Sequence, residues 1–96
     1  ALAASQAGAE VLVLERDASA LGTTAMSTGL IPGANTRLQR EKGIADSPEL
    51  FAADIVKKAK GQTDEGIALA LARESSLTIE WLVDDHAVPL SLVDSF

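Results

Sequence analysis

Ala9-Glu10-Val11-Leu12-Val13-Leu14-Glu15-Arg16 is an apolar run that ends abruptly on a carboxylate. Four consecutive aliphatic residues without alternation suit a strand buried on both faces, as in a parallel sheet covered by helices. Immediately before it, Ala1-Leu2-Ala3-Ala4-Ser5-Gln6-Ala7 reads as the end of a helix, with Gly8 where a left-handed cap is favoured. Helix, glycine, buried strand and an acid at the strand's carboxyl end together match the second half of a dinucleotide-binding βαβ unit. In such a unit the acid accepts hydrogen bonds from the ribose hydroxyls of an adenosine. The alternative is a solvated Glu15 at a strand end. The glycine-rich turn that separates these two readings is expected upstream of Ala1.

Bulk properties narrow the class. With 96 residues there is room for one small domain at most. Hydrophobic residues make up 47% of the chain, yet the aromatics are only Phe51, Trp81 and Phe96. That Ala/Leu/Val/Ile composition suits helices packed on a sheet and differs from that of a disordered segment. A net charge of −6 argues against nucleic acid as a partner. The absence of cysteine excludes disulfides and thiolate metal sites. No apolar run approaches the ~18 to 20 residues of a membrane span. A parallel strand buried on both faces needs neighbours on each side, and the sequence supplies at most one more. The chain therefore reads as a piece of a longer polypeptide, short of core by itself.

Beyond Glu15, Arg16-Asp17-Ala18-Ser19-Ala20-Leu21-Gly22 suits a loop leaving the strand. The next segment, Thr23 to Thr36, is dense in hydroxyls and glycines and carries no charge. Small, uncharged backbone of this kind lets a ligand approach the main chain and offers N–H groups to phosphate or ring oxygens. Arg37 to Ala45 is a charged surface stretch with a short helical turn. A helix then opens at Asp46 or Ser47, with Pro48 in its first turn and Glu49 favoured by the dipole. Lys57, Lys58 and Lys60 crowd its end, and Gly61 stops it. A third helix starts near Thr63 or Asp64 and runs to about Glu74. Ser75-Ser76 reads as a weak break before a continuation from Leu77 to Asp85. Ala87 to Val93 reads as a short final strand, since Pro89 disfavours helix for its predecessor.

Few residues offer catalytic chemistry. His86 is the sole histidine, and it stands at a helix end with no second metal ligand at helical spacing. Trp81 reads as a packing anchor. Ser19, Ser27, Ser75 and Ser76 lack a histidine partner in sequence context, so a nucleophilic hydrolase finds no support. What remains is Glu15 and the small-residue segment from Gly22 to Gly33. Together they suit a cofactor with an adenosine at one end and an extended body lying along backbone amides.

The run Val11-Leu12-Val13-Leu14-Glu15-Arg16, then Gly22-Thr23-Thr24 and Ser27-Thr28-Gly29, resembles the flavoprotein subunits of fumarate reductase and succinate dehydrogenase. The soluble fumarate reductases and the 3-ketosteroid or tricarballylate dehydrogenase-like enzymes are the members it resembles most. The likeness continues through Asp46-Ser47-Pro48-Glu49-Leu50 and from Trp81-Leu82 to Val88-Pro89-Leu90. Leu21 stands where the family has the first glycine of its turn, and Leu30 where it has the second glycine of a later pair. Gly22 and Gly29 are then left to allow the close approach.

The resemblance implies an FAD-dependent oxidoreductase. Glu15 would bind the adenosine ribose with Arg16 flanking it. Gly22, Thr23 and Thr24 would lie along the pyrophosphate and ribityl portion, and Ser27, Thr28 and Gly29 would approach the isoalloxazine. The cofactor carries the hydride chemistry in such enzymes.

The expected fold is thus α/β, a fragment of a Rossmann-like FAD-binding domain: one buried parallel strand, a cofactor-lining loop, two to three helices and a short final strand. The parent would move a hydride between flavin and a C–C bond beside a carbonyl or carboxylate. Its small-molecule substrate and catalytic residues would reside in the remainder of the parent chain, and the 96 residues alone would be inactive. Two other readings stay open: a fragment of an NAD-dependent Rossmann oxidoreductase, and a non-enzymatic helical interaction module.

Overall fold

A computed structural model describes residues 1–93; Phe96, counted above among the aromatics, lies outside them. The chain divides into two compact units, Ala1–Leu30 and the part from Ile31 onward.

In the first unit, α1 spans Leu2–Gln6. It closes as the sequence predicts: Gly8 takes φ +84°, and the N–H groups of Gly8 and Ala9 donate to Ser5 and Ala4 carbonyls, both at 3.0 Å. This left-handed closure satisfies carbonyls that the helix leaves open. α1 buries no residue.

The expected strand does not form. Residues 9–15 carry no ladder, and among the described residues there is no strand at all. Leu12 and Leu14 are 81% and 84% exposed, where burial on both faces was predicted. Unbroken aliphatic character signals a segment that favours burial, but a strand exists only through hydrogen bonds to a neighbouring strand. The one other candidate, Ala87 to Val93, also stays out of a ladder. Ala87 turns the chain with φ +52°, Val88 N–H donates back to Leu82 O at 3.0 Å, and Leu90 N–H to Val88 O at 2.8 Å. That last bond closes a tight three-residue turn about Pro89. The α/β, Rossmann-like expectation is therefore replaced by a helical chain.

The second unit holds the core. α2 spans Arg37–Glu41, α3 Pro48–Lys58 and α4 Glu65–Asp84. Each starts on a side-chain cap. Thr36 Oγ1 accepts from Gln39 N–H at 3.2 Å, while Gln39 Oε1 accepts from Thr36 N–H at 2.7 Å, a capping box. Ser47 Oγ accepts from Leu50 N–H at 3.1 Å, and Asp64 Oδ1 from Ile67 N–H at 3.0 Å. Past Lys58, Gly61 takes φ +74° and its N–H donates to Val56 O at 3.1 Å, closing α3. α3 packs on α4. The buried positions of α4 are Ala68, Ala72, Ser75 and Ile79, a 4-3-4 spacing that forms one stripe. Facing residues Ala52 on α3 and Ala34 ahead of α2 are also buried. The core is built from small side chains, and among the described residues no large one is fully enclosed.

α4 also corrects a reading. The helix runs unbroken through Ser75-Ser76 for 20 residues. Ser75 does not compete with the helix, because its hydroxyl donates to Ala72 O at 2.7 Å within the helix and spends its lone pairs elsewhere.

Candidate functional site

The sequence-predicted cofactor residues all lie in the first unit. Glu15 follows the exposed aliphatic run and folds back on its own turn, where Asp17 N–H donates to Glu15 Oε1 at 3.0 Å. The second carboxylate oxygen meets no group among the described residues. Arg16 pairs with Asp17 through Nη2 at 3.2 Å and Nε at 3.3 Å. That pair is exposed, so its own contribution to stability is small. It does set the Arg16 guanidinium beside the Glu15 turn.

From Gly22 the chain makes three successive i to i+3 turns. Ala25 N–H donates to Gly22 O at 2.9 Å, and Met26 and Ser27 N–H donate to Thr23 and Thr24 O, both at 3.2 Å. The arrangement resembles one tight helical turn. Like any helix start, it leaves its first N–H groups, those of Gly22, Thr23 and Thr24, without main-chain acceptors. Ser27 Oγ then accepts from Gly29 N–H at 3.1 Å, and Gly29 takes φ +75°, a conformation in which any side chain is strained. Open space surrounds both Gly22 and Gly29 where a Cβ would stand. Thr28 lies between them in the exposed bend.

These features fit the FAD moieties by donor and acceptor type. A carboxylate with a spare oxygen suits sugar hydroxyls, unpaired successive N–H groups suit pyrophosphate oxygens, and a glycine with nothing over it admits a flat ring. Asp17 escaped the sequence reading. Its signal was available, since an acid followed two residues later by a free N–H is the pattern of a side-chain turn.

His86 and Trp81 belong to the second unit, at the end of α4. Their rings meet edge to face with centroids 4.3 Å apart and an 80° interplanar angle, and His86 Nε2 is buried without a hydrogen-bond partner among the described residues. A packing role for Trp81 agrees with this geometry. Among the described residues no group of three His, Asp or Glu gathers as a metal site, and no helix is long and apolar enough to cross a membrane. An open groove of about 500 Å³ lies along α3 and the start of α4, lined by Ala52, Ala53, Val56 and Leu69 together with Glu49, Lys57 and Glu65. Its lining holds no hydroxyl, amide or imidazole.

The first unit thus presents an exposed segment rich in open backbone donors and hydroxyls. A family model described as an FAD binding domain matches residues 1–94. The chain belongs to that FAD binding domain family, and its cofactor is FAD. Fumarate reductase 1 of Saccharomyces cerevisiae is 39% identical over 83 residues, 86% of this chain and 18% of the relative. NADH:fumarate oxidoreductase of Klebsiella pneumoniae is 33% identical over 84 residues, 88% of this chain and 9% of the relative. Urocanate reductase of Eggerthella lenta is 30% identical over 88 residues, 92% of this chain and 14% of the relative. The chain thus spans less than a fifth of the length of these relatives. No solved structure matches it.

Proposed function

We propose that these residues form the FAD-contacting part of a longer FAD-dependent oxidoreductase that acts on a C–C bond beside a carbonyl or carboxylate. The observation that carries this reading is the family match across residues 1–94. The names of the relatives point the same way: fumarate and urocanate each hold a C=C bond next to a carboxylate. When bound, FAD supplies the hydride chemistry, and the protein contributes position and electrostatics.

Each residue then has a part to play. Glu15, turned by Asp17 N–H, accepts from the adenosine ribose hydroxyls, and Arg16 flanks the sugar. Gly22, Thr23 and Thr24 offer main-chain N–H groups and hydroxyls to the pyrophosphate and ribityl oxygens. Ser27, Thr28 and Gly29 approach the isoalloxazine, with the bend held by the Ser27 hydroxyl on Gly29 N–H. Substrate and catalytic groups belong to the remainder of the parent chain, of which these residues are one part of an FAD-binding domain.

The test uses the full-length polypeptide that contains these residues. It should purify with flavin and reduce an unsaturated carboxylate with a reduced dye as electron source. Glu15→Ala removes charge-assisted hydrogen bonds of roughly 1.5–3 kcal/mol, and so should weaken FAD binding by about ten- to a hundredfold. Unchanged affinity in Glu15→Ala would remove this carboxylate from the site.

A further inference from the structure

Between the neutral turns and α2 the chain runs through Gly33-Ala34-Asn35-Thr36, and α4 grips this strap and the Arg37 that follows it at three backbone points. Gly33 lies hard against Ile79: a Cβ added there would collide with Ile79 Cδ1 and stand 3.2 Å from Thr36 Cγ2. Ala34, fully buried, donates its N–H to Ser75 Oγ at 3.0 Å. Arg37 N–H donates to Glu80 Oε1 at 2.6 Å. The gripping positions 75, 79 and 80 fall within about one and a half turns of α4.

Ser75 is committed to this purpose. Its proton goes to Ala72 O, so the hydroxyl presents only lone pairs to the strap. Glu80 is similarly engaged, because Oε1 takes both Arg37 N–H and Arg40 Nη2, the latter at 3.2 Å. The Glu80 contact also takes up the first N–H of α2, which has no partner within that helix. Both contacts act on backbone that belongs to no helix or to the very start of one.

We infer that Ser75 and Glu80 are positioning residues for the bound FAD. By pinning Ala34 and Arg37 they fix the downstream end of the small-residue segment Gly22–Gly33. The inference rests on the assignment of Ser27, Thr28 and Gly29 to the flavin given above. Gly29 precedes Gly33 by four residues, so at most roughly 14 Å of chain links the proposed flavin contact to the pinned strap. A segment anchored at one end loses less conformational freedom when a ligand orders it, and binding is correspondingly tighter.

The experiment titrates FAD into the apo form of the full-length polypeptide, below the melting temperature of every variant. Ser75→Ala and Glu80→Ala should each bind FAD about two- to tenfold more weakly, the worth of one hydrogen bond. Both should also alter the visible circular dichroism of the bound flavin, which a purely structural role would leave alone. Glu80→Gln keeps an acceptor for Arg37 N–H and should restore the wild-type spectrum. Wild-type affinity and flavin dichroism in both alanine variants would overturn the inference, however far their melting temperatures fall. Ser27→Ala separates the two levels. If it weakens FAD binding while Ser75→Ala and Glu80→Ala do not, only the positioning role fails. If Ser27→Ala leaves affinity unchanged, the assignment of the segment fails and takes this inference with it.

Discussion

The buried Ser75 hydroxyl accepts a hydrogen bond from the main-chain N–H of Ala34, 41 residues earlier, at 3.0 Å. This single contact joins the middle of α4 to a stretch of backbone that has no helix of its own to satisfy it. Ser75→Ala removes the acceptor and leaves a buried N–H without a partner, a cost of about 1–3 kcal/mol. The better helix propensity of alanine returns only about 0.5 kcal/mol. The variant is therefore expected to be less stable by roughly 1–2 kcal/mol. Urea unfolding followed by the fluorescence of Trp81, the sole tryptophan of these 96 residues, measures the change.

The Gly33–Ile79 contact makes a sharper prediction, because the atom in the way can be deleted. Gly33→Ala places a methyl group against Ile79 Cδ1 and is expected to cost about 1–3 kcal/mol as overpacking. Ile79→Val removes that same Cδ1 at a cost of about 0.5–1.5 kcal/mol. In the Ile79→Val background, Gly33→Ala should be nearly neutral. The double-mutant cycle should therefore show a favourable coupling of about 1 kcal/mol or more. Additive losses would mean that the strap does not rest on Ile79.

These contacts mark the boundary of what could be read before the structure. Gly8, Ser47, Asp64 and Gly61 were legible because a cap is local chemistry: the donor or acceptor it serves lies within a few residues. Ser75 was not, since its effect depends on a partner 41 positions away. By local rules alone, a Ser-Ser pair in a helix argues for a break. A signal was nonetheless present, as position 75 falls on the same stripe as Ala68, Ala72 and Ile79. The aliphatic run at Val11–Leu14 failed in the opposite way. Its composition speaks for burial, but burial needs a second surface, and these residues remain exposed. The exposed turns from Gly22 to Gly29 were legible as a loop of neutral, mostly small or hydroxylated residues. The Glu15–Asp17 turn that orients the acid was not among the features read.

Arg37 bridges Glu41 Oε1 at 3.1 Å and Asp84 Oδ1 at 2.7 Å, tying α2 to the end of α4. The hydrogen bond to Glu41 and then the charge of Asp84 hold the guanidinium above its ordinary pKa. A folded pKa above the unfolded one means that the stabilisation is complete below the unfolded value. It is lost only as pH rises through the folded one, far on the alkaline side. The difference in melting temperature between wild type and Arg37→Met should accordingly stay flat from neutral pH to about pH 10. It should shrink as salt is added, because the pair is exposed and screened. A gap that closes below pH 10 would contradict this origin.

His86 keeps Nε2 buried with no partner among the described residues while its ring lies edge-on to Trp81. An unsatisfied buried nitrogen is costly, whereas replacing it with an apolar group of like shape is neutral or favourable. His86→Phe retains the aromatic contact and should leave stability unchanged or raise it by up to about 1 kcal/mol. His86→Ala, which loses the ring as well, should destabilise. Thermal melts should show a loss for His86→Ala alone if packing, and not the imidazole nitrogen, is what this position supplies. A loss in both would instead assign the nitrogen a role.

Met26 offers a direct chemical report on the proposed cofactor segment. It is the sole methionine of these 96 residues, and its side chain is exposed within the turn that begins at Gly22. Thr24 and Ser27, both assigned to the cofactor, flank it closely. Peroxide converts an accessible thioether to the sulfoxide, adding one oxygen and releasing water. Bound FAD along Gly22–Gly29 would shield this side chain from the oxidant. In the full-length polypeptide, peptide-resolved mass spectrometry should find Met26 oxidised severalfold more slowly in the FAD-loaded form than in the apo form. The Glu15→Ala variant, at an FAD concentration that saturates only the wild type, should lose that protection. Equal oxidation rates with and without FAD would place the cofactor elsewhere.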